Sequence, residues 1–372
     1  MLKRKRFLVA TMLTLAVLCS ALLTAPGYAD GGANHQKRNQ HFGVSGGNVN
    51  DRSNAFCCSG TLGSLVTIGG TKYILSNNHV LARADQAVAG EDVSQPGLID
   101  NSCRVATIVA DFTTAAPLGS NVDAAIAQLR TGTMDSTGFI EDIGVPSGTI
   151  VNPSVGLSVA KSGRTTGFTT GSISSVNTSV SVQYQKGCNS GKKFTVSYTN
   201  QVIIGSSTFS AGGDSGSLIV TNNSTHNPVA LLYAGSSSST IGNPIGEVLT
   251  KLSAALGGGT AVSFGGSSGH GPAAATFDVN SALQPYTPGR GQMPELPEQA
   301  VLHASQVLEQ QRDKLMNTPL VLGVGVGRSD ENDTDAAIVV YVDKTTGARP
   351  FLPESIDGVK VRVELTDPFV AF

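Results

Sequence analysis

The chain has 372 residues, a length typical of two or three domains. Its formal net charge is −2, which gives no electrostatic basis for binding nucleic acid or an anionic membrane surface. Charged residues make up only 14% of the chain, tryptophan is absent and 44 residues are glycine, a composition typical of an exported protein rich in short strands and turns.

Residues 1–29 have the pattern of a signal peptide. Lys3–Arg6 are basic, Phe7–Leu23 are apolar, and small residues precede a cut after Ala29. We therefore expect a secreted, extracellular protein that begins after this cut. The alternative is a retained anchor, because the apolar run approaches spanning length. Membrane contact is expected only in that case.

Four cysteines remain after this cut, and in an exported chain they predict two disulfides. Their spacing fits no zinc pattern, so no metal is expected, and no cofactor motif is present. A bridge between the adjacent Cys57 and Cys58 would be strained. Each is therefore expected to pair with Cys103 or Cys188, and the sequence leaves the connectivity open.

Residues 30–54 are polar and rich in glycine and asparagine, which predicts a flexible lead-in without a core. Residues 55–256 contain many short strands separated by turns, including a hairpin at Gly69-Gly70, and one late helical segment at Ile245–Leu256. This pattern predicts a mainly β domain with an antiparallel barrel architecture.

Residues 257–292 are rich in Gly, Ser, Ala and Pro and are interpreted as a linker. Residues 293–372 predict a small α+β domain, with a helix beginning near Pro297 and two or three strands after it. In the first of these strands bulky residues alternate with glycine, and we expect the helix to lie on the bare glycine face. The apolar stripe of the helix consists of Val301, Ala304, Leu308 and Leu315.

The segment Gly212–Val220 contains Gly-Asp-Ser-Gly followed by strand-forming residues. A serine hydroxyl becomes a useful nucleophile when a base lies within hydrogen-bond reach and backbone N–H groups face the developing oxyanion. The flanking glycines permit the tight turn that aims those N–H groups. Ser215 is therefore the candidate nucleophile. A chance Gly-Ser string is the alternative, since such strings are common in this chain.

Among the six histidines only His79 follows a predicted core strand of the barrel region. Asp123 precedes an apolar run, as expected of a carboxylate at the mouth of a buried strand, and Asp111 is the runner-up. A strand-capping histidine and a chance buried aspartate are the alternatives. The order His79, Asp123, Ser215 is that of the chymotrypsin arrangement.

These motifs resemble the chymotrypsin-like (trypsin-fold) serine endopeptidases, in particular bacterial secreted members. Ser76–His79 stands where the family has Thr-Ala-Ala-His, Asn121–Ala127 is similar to its Asn-Asp-Ile segment, and Gly213–Gly216 carries its nucleophile. Lys161–Gly167 resembles the Arg-Ser-Gly-Arg-Thr-Thr-Gly of α-lytic-type enzymes. The resemblance covers Cys57–Leu256 and implies a two-barrel antiparallel fold.

The resemblance implies that Ser215 is the nucleophile, that His79 is the general base and then acid, and that Asp123 orients the imidazole. The N–H groups of Gly213 and Ser215 would form the oxyanion hole. The chain lacks an Ile-Val-Gly-Gly start, so an internal cation is expected to hold Asp214. The candidates for this cation are Lys161 and Arg164.

The resemblance also implies an S1 pocket, the site for the residue before the cleaved bond (P1), with Ala234, Gly235 and Ser236 as a wall and Phe209 near the floor. A floor without aspartate argues against Lys or Arg at P1, so a small or apolar P1 residue is expected. Substrates would be proteins or peptides. A catalytically silent binding protein on the same fold is the alternative function.

Two roles are open for residues 293–372 at this stage. They are a removable, pro-domain-like or regulatory domain that assists folding or blocks the cleft of the protease domain, and an appendage that binds a partner.

Overall fold

The computed structural model describes residues 35–259, 261–264, 294–330 and 334–372. The predicted signal peptide and most of the predicted linker lie outside the described residues. Within the described ranges, no helix is long and apolar enough to cross a membrane.

The first sheet has eight strands in the order β14-β3-β4-β7-β6-β5-β1-β2. The predicted hairpin at Gly69-Gly70 is confirmed: both glycines have positive φ, and β3 pairs with β4 on either side of them. The strands of this sheet are β1 (Val44–Asn48), β2 (Gly60–Leu62), β3 (Ser64–Ile68), β4 (Thr71–Ser76), β5 (Asp92–Gln95), β6 (Thr107–Ala116), β7 (Ala124–Leu129) and β14 (Ser263–Phe264).

The second sheet contains a closed ring. Its strands follow the order β10-β13-β12-β11-β8-β9, and β9 pairs with β10 to complete the circuit. Closure leaves these strands without a free edge along the ring. The strands of the ring are β8 (Ser158–Gly163), β9 (Gly167–Gln185), β10 (Lys193–Ile204), β11 (Leu218–Thr221), β12 (Pro228–Gly235) and β13 (Thr240–Pro244).

Three α-helices lie among the described residues: α1 (Asn78–Leu81), α2 (Ile245–Ala255) and α3 (Glu298–Met316). A short 3-10 helix spans Leu98–Asn101. The predicted late helix is confirmed as α2. Its residues Ile245, Val248 and Leu252 share one face and are buried in the core of the first sheet.

The lead-in differs from its prediction between His35 and Asn48. His35 and Phe42 are buried, and β1 pairs with β2 and β5. The glycines of β1 have a packing role, because a Cβ on Gly46 would overlap the Leu62 side chain. Because close packing requires small residues in this strand, its composition resembles that of a loop, and the sequence predicted a flexible segment.

The start of the predicted linker also differs from its prediction. Val262 and Phe264 are buried against the first-sheet core, and β14 pairs with β3. Two apolar residues among many glycines and serines are enough to add a short edge strand here.

The C-terminal region adds its strands to the second sheet instead of forming a sheet of its own. Strand β15 pairs antiparallel with β9 and β16, and β16 pairs in parallel with β18. The strands are β15 (Val321–Arg328), β16 (Ala336–Asp343), β17 (Ser355–Ile356), β18 (Val359–Thr366) and β19 (Phe369–Ala371).

Strand β9 is longer than its neighbour β8 in the ring. Strand β8 pairs with residues 167–172, whereas β15 pairs with residues between 175 and 180 and β19 with residues 182 and 183. Strand β10 occupies the other edge along most of this length. The C-terminal strands therefore cover an edge of β9 that β8 leaves open.

Helix α3 packs on the opposite face of β15 from the one expected. Leu308 and Leu315 of the helix share a core with Val324 and Val326, so the valine face contacts the helix. On the glycine side, β15 lies close to side chains of its sheet neighbour β9, where a Cβ on Gly325 would overlap the Thr178 and Ser175 side chains. The predicted position of the helix is wrong, because the apolar stripe of the helix packs on the bulky valine side chains, and the small glycine side gives room to β9 side chains.

We predict that Gly325→Val lowers the free energy of unfolding by about 1–3 kcal/mol, because the added side chain has no room beside β9. Urea unfolding measures the change. Gly246→Ala is the matched control, since its Cβ would meet only Ile150 at 3.5 Å, an ordinary contact. Equal stability of Gly325→Val and the wild type would contradict the packing of β15 against β9.

Candidate active site

The pairing of β4 with β7 brings His79 and Asp123 together. Ser76 at the end of β4 pairs with Ala125 near the start of β7, so the segment after β4 lies beside the residue before β7. His79 Nδ1 donates to Asp123 Oδ2 at 2.6 Å, and the His79 backbone N–H donates to Oδ1 at 3.1 Å. These two bonds fix the imidazole against a fully buried carboxylate.

Asp123 has further partners that local sequence spacing did not indicate. The hydroxyl of Tyr184 at the end of β9 donates to Asp123 Oδ2 at 2.9 Å. Asn77 Nδ2 donates to the Asp123 carbonyl at 2.6 Å, and the Asp123 N–H donates to Asn243 Oδ1 at 2.9 Å. Asp123 is therefore held from both sheets, through its backbone and its carboxylate, which fixes its position relative to His79.

The charge of Asp123 governs the protonation of His79. Burial lowers the pKa of the His79 imidazole, but the charge and hydrogen bond of Asp123 raise it. The hydrogen bond to the Phe372 carbonyl and the charge of Asp51 also raise it, and the net pKa lies above the ordinary 6.5. Burial in turn raises the pKa of Asp51 to about 6.

The loop that carries Ser215 is held by β2 of the first sheet. The Thr61 N–H donates to the Ser215 carbonyl at 2.8 Å, and Thr61 Oγ1 donates to the Gly213 carbonyl at 2.9 Å. Gly213 and Gly216 have φ of 98° and 96°, a region that disfavours residues with a Cβ. The glycines around Ser215 therefore permit both the turn and its contact with β2.

Ser215 is buried, and its Oγ donates to the Tyr233 carbonyl at 3.0 Å. The same carbonyl accepts the Phe372 N–H at 3.3 Å, and His79 Nε2 donates to the Phe372 carbonyl at 3.0 Å. The backbone of Phe372 thus connects the surroundings of Ser215 to those of His79.

The N–H groups of Gly213 and Ser215 are the candidate oxyanion donors. Their neighbours are engaged, since Asp214 N–H donates to Ala211 O at 3.0 Å and Gly216 N–H to Leu232 O at 2.9 Å. Within the described ranges, no hydrogen bond has the N–H of Gly213 or Ser215 as its donor. Both groups therefore remain the candidate donors for an oxyanion.

Asp214 is buried against Lys161. The Lys161 ammonium lies 3.5 Å from Asp214 Oδ2 and donates to the Gly167 carbonyl at 2.9 Å and to the Thr166 hydroxyl. The N–H groups of Thr165 and Thr166 donate to Asp214 Oδ1 at 2.8 and 3.1 Å. The turn between β8 and β9 thus surrounds this carboxylate with donors.

Of the two cations considered for Asp214, the geometry favours Lys161. Arg164 forms a bidentate pair with Asp100 instead, with both N···O distances at 2.6 Å. Burial lowers the pKa of Lys161 to about 8, although Asp214 acts in the opposite direction. The buried Lys161 ammonium depends on Asp214 to remain charged. Their contact therefore restrains the loop before Ser215.

The predicted pocket residues lie around β12. Ala234 and Phe209 are buried, and the Phe209 ring is 5.9 Å from the Lys161 ammonium. Gly235 is the last residue of β12, and Ser236 follows it with its hydroxyl 2.6 Å from that of Thr366. The predicted wall of the pocket therefore contacts the C-terminal region.

The four cysteines form the two predicted disulfides. Cys57 pairs with Cys103 and Cys58 with Cys188, with Cα–Cα distances of 5.5 and 5.6 Å. In the part of the chain that the structure describes, one group of potential metal ligands contains Asp51, Cys58 and Cys188. Its two sulfurs are joined to each other, so this group lacks the thiolates that a metal would need.

We predict that Lys161→Met lowers the free energy of unfolding by about 3–5 kcal/mol, because it leaves the Asp214 carboxylate buried without its cation. Chemical denaturation at pH 7 measures this change. The exposed Lys360→Met variant is the control and is expected to change stability by less than about 0.5 kcal/mol. Equal effects of the two substitutions would contradict a structural ion pair at Asp214.

Comparison with known proteins gives one family match. Residues 74–243 match the model of peptidase family S64. A comparison with curated proteins gave no match.

Similar solved structures include a glutamic acid-specific serine protease that uses a histidine triad in substrate binding. It is 21% identical, covers 59% of this chain and 98% of its own, and has a TM-score of 0.40. Protease A of Thermobifida fusca is 18% identical, covers 60% and 97%, and has a TM-score of 0.39. The α-lytic protease homologue N4 is 21% identical, covers 55% and 92%, and has a TM-score of 0.35.

The family match spans His79, Asp123 and Ser215. The family match supports the predicted resemblance to serine peptidases. The two sheets, one of which contains a closed ring, support the predicted mainly β architecture.

Proposed function

We propose that this protein is a secreted serine endopeptidase that uses Ser215, His79 and Asp123. The observation that carries the proposal is the 2.6 Å bond between His79 and the buried Asp123 carboxylate, with the Phe372 backbone connecting His79 to the surroundings of Ser215. A buried carboxylate on Nδ1 leaves Nε2 to act as the base. Retention of all three groups favours an enzyme over a silent binding protein.

The proposed reaction starts from neutral His79, with Nε2 released from the Phe372 carbonyl. Ser215 Oγ leaves the Tyr233 carbonyl by rotation of its side chain and donates its proton to this nitrogen. The alkoxide attacks the peptide carbonyl carbon, and the oxyanion accepts hydrogen bonds from the Gly213 and Ser215 N–H groups. His79 then protonates the leaving amine. Water, deprotonated by His79, hydrolyses the acyl-enzyme and restores Ser215.

The proposed cleft prefers a small or apolar P1 residue. Phe209, Ala234 and Gly235 offer apolar surface, and the Lys161 ammonium near Phe209 is paired with Asp214. A cationic P1 side chain would find no free carboxylate in that set. Faster hydrolysis of arginine esters than of alanine or leucine esters would refute this preference.

Export is part of the proposal. The two disulfides fit an oxidising compartment. The cut after Ala29 stays a prediction, and N-terminal sequencing of the secreted protein tests it.

We predict that Ser215→Ala and His79→Ala each lower kcat by about 10⁶-fold on a peptide blocked at both ends. Asp123→Asn lowers kcat by about 10⁴-fold, because the imidazole loses its correct tautomer. Steady-state hydrolysis with a purified protein measures these losses, and a burst of released amine or alcohol reports the acyl-enzyme.

The matched controls are Ser207→Ala, at an exposed serine, and Asp111→Asn, whose carboxylate pairs with Arg130 on the surface. Both are expected to keep wild-type kcat. Hydrolysis by Ser215→Ala at the wild-type rate would contradict the proposed function.

The pH dependence of kcat/KM provides another prediction. His79 acts as a base only when neutral, and its pKa is raised above 6.5, so activity falls as pH decreases through a midpoint above 6.5. Asp51→Asn removes a negative charge that raises this pKa, and its midpoint is expected at lower pH than in the wild type. Asp111→Asn is the control and leaves the midpoint unchanged. A wild-type midpoint below 6.5 would contradict the electrostatics of the site.

A further inference from the structure

Strand β19 lies along the candidate substrate cleft. It pairs antiparallel with β12, with Ala371 opposite Ala234 and Val370 opposite Gly235. The next residue continues this pattern, because the Phe372 N–H donates to the Tyr233 carbonyl. The segment Val370–Phe372 is therefore an extended peptide added to the edge of β12.

The end of this segment reaches the candidate catalytic groups. The Phe372 carbonyl lies 3.0 Å from His79 Nε2, the nitrogen proposed to take the serine proton. The Tyr233 carbonyl that binds the Phe372 N–H also accepts the Ser215 hydroxyl. The backbone of Phe372 thus lies next to both the base and the nucleophile, with its carbonyl on His79 rather than on the Gly213 and Ser215 N–H groups.

The Phe372 side chain fills the predicted pocket. It is half-buried and packs against the core cluster that includes Phe209. A Cβ on Gly235 would overlap the Phe372 ring, so the absence of a side chain there leaves space for an aromatic group. The preceding residue is the small Ala371. The position of Phe372 corresponds to P1 and that of Ala371 to P2.

The segment is anchored by its own region of the chain. Phe369 is buried, and its ring packs at 5.9 Å against Tyr341 of β16. Just before it, Asp367 pairs with Lys344 at 3.1 Å. Lys344 also donates to the Ser237 hydroxyl at 2.9 Å, which ties the C-terminal region to the loop after β12.

We propose that Val370–Phe372 is an intramolecular ligand of the substrate cleft, which accepts extended peptides with an aromatic residue at P1 and a small residue at P2. While it occupies the cleft, the segment excludes substrate and lowers activity. This inference rests on the proposed function for its catalytic consequence. It narrows the expected small or apolar P1 residue to an aromatic one and gives the C-terminal region a regulatory role.

The occupancy is tested by binding, which does not depend on catalysis. The probe is the peptide Phe-Val-Ala-Phe with fluorescein on its N-terminus, measured by fluorescence anisotropy on the full chain carrying Ser215→Ala. Phe372→Ala is added to this background to weaken the internal ligand. Phe351→Ala is the matched control, because Phe351 lies in the same region and is 97% exposed.

An internal ligand on a short connection has an effective concentration on the order of 1 mM. Removing its aromatic group is therefore expected to tighten peptide binding about 10-fold or more. Phe351→Ala should leave the Kd unchanged. Equal Kd values for the background, Phe372→Ala and Phe351→Ala would overturn the proposed occupancy. Equal tightening by both substitutions would also overturn it, since it would indicate a general loosening of the region.

The substrate class is tested with a second peptide, Phe-Val-Ala-Asp, carrying the same label. On the Phe372→Ala background it is expected to bind at least about 10-fold more weakly than Phe-Val-Ala-Phe. Equal binding of the two peptides would overturn the aromatic preference.

Activity with Ser215 intact separates this inference from the proposed function. Phe372→Ala is expected to raise kcat/KM for a blocked Phe-Val-Ala-Phe p-nitroanilide about 10-fold over the wild type and Phe351→Ala. Equal hydrolysis by all three would reject inhibition by the segment and leave the peptidase standing. Tight peptide binding without hydrolysis in any variant would reject the proposed peptidase function. It would leave the proposed occupancy of the cleft by Val370–Phe372 standing.

Discussion

The long strand β9 is the structural constraint on which the rest of the molecule depends. Buried backbone groups need hydrogen-bond partners, and β9 extends beyond β8 by more than half of its length. The open edge is taken by β15 and then by β19. At its end β9 supplies Tyr184 to the Asp123 carboxylate. Barrel closure, attachment of the C-terminal region and support of the candidate catalytic pair therefore share one element.

The candidate site lies where the two sheets meet. Residues of each sheet form hydrogen bonds to a candidate catalytic segment of the other sheet. Strand β2 of the first sheet binds the loop around Ser215, whereas Tyr184 and Asn243 of the second sheet bind Asp123. Asp214 stays buried because Lys161 and the turn after β8 surround it. Pre-organised donors of this kind are what a reaction through an oxyanion requires.

The sequence predicted the parts of the fold and site that local patterns encode. Each of these patterns reflects the local geometry of a short segment. They are the glycines around Ser215, the strand before His79 and the apolar run after Asp123. The sequence did not predict the hydrogen bond from Tyr184 to Asp123, because the two residues are 61 positions apart and the residues around Tyr184 predict only a strand. The same limit applies to β1, whose glycines pack under Leu62, and to β19, whose position depends on β9 and β12.

The most direct test of this account is the rate and site of labelling by a fluorophosphonate, read by mass spectrometry of the digested protein. The account predicts one adduct, on Ser215, that forms in the wild type and about 10-fold faster in Phe372→Ala, where the internal ligand is weakened. An adduct on another residue, or no adduct in either protein, would contradict it.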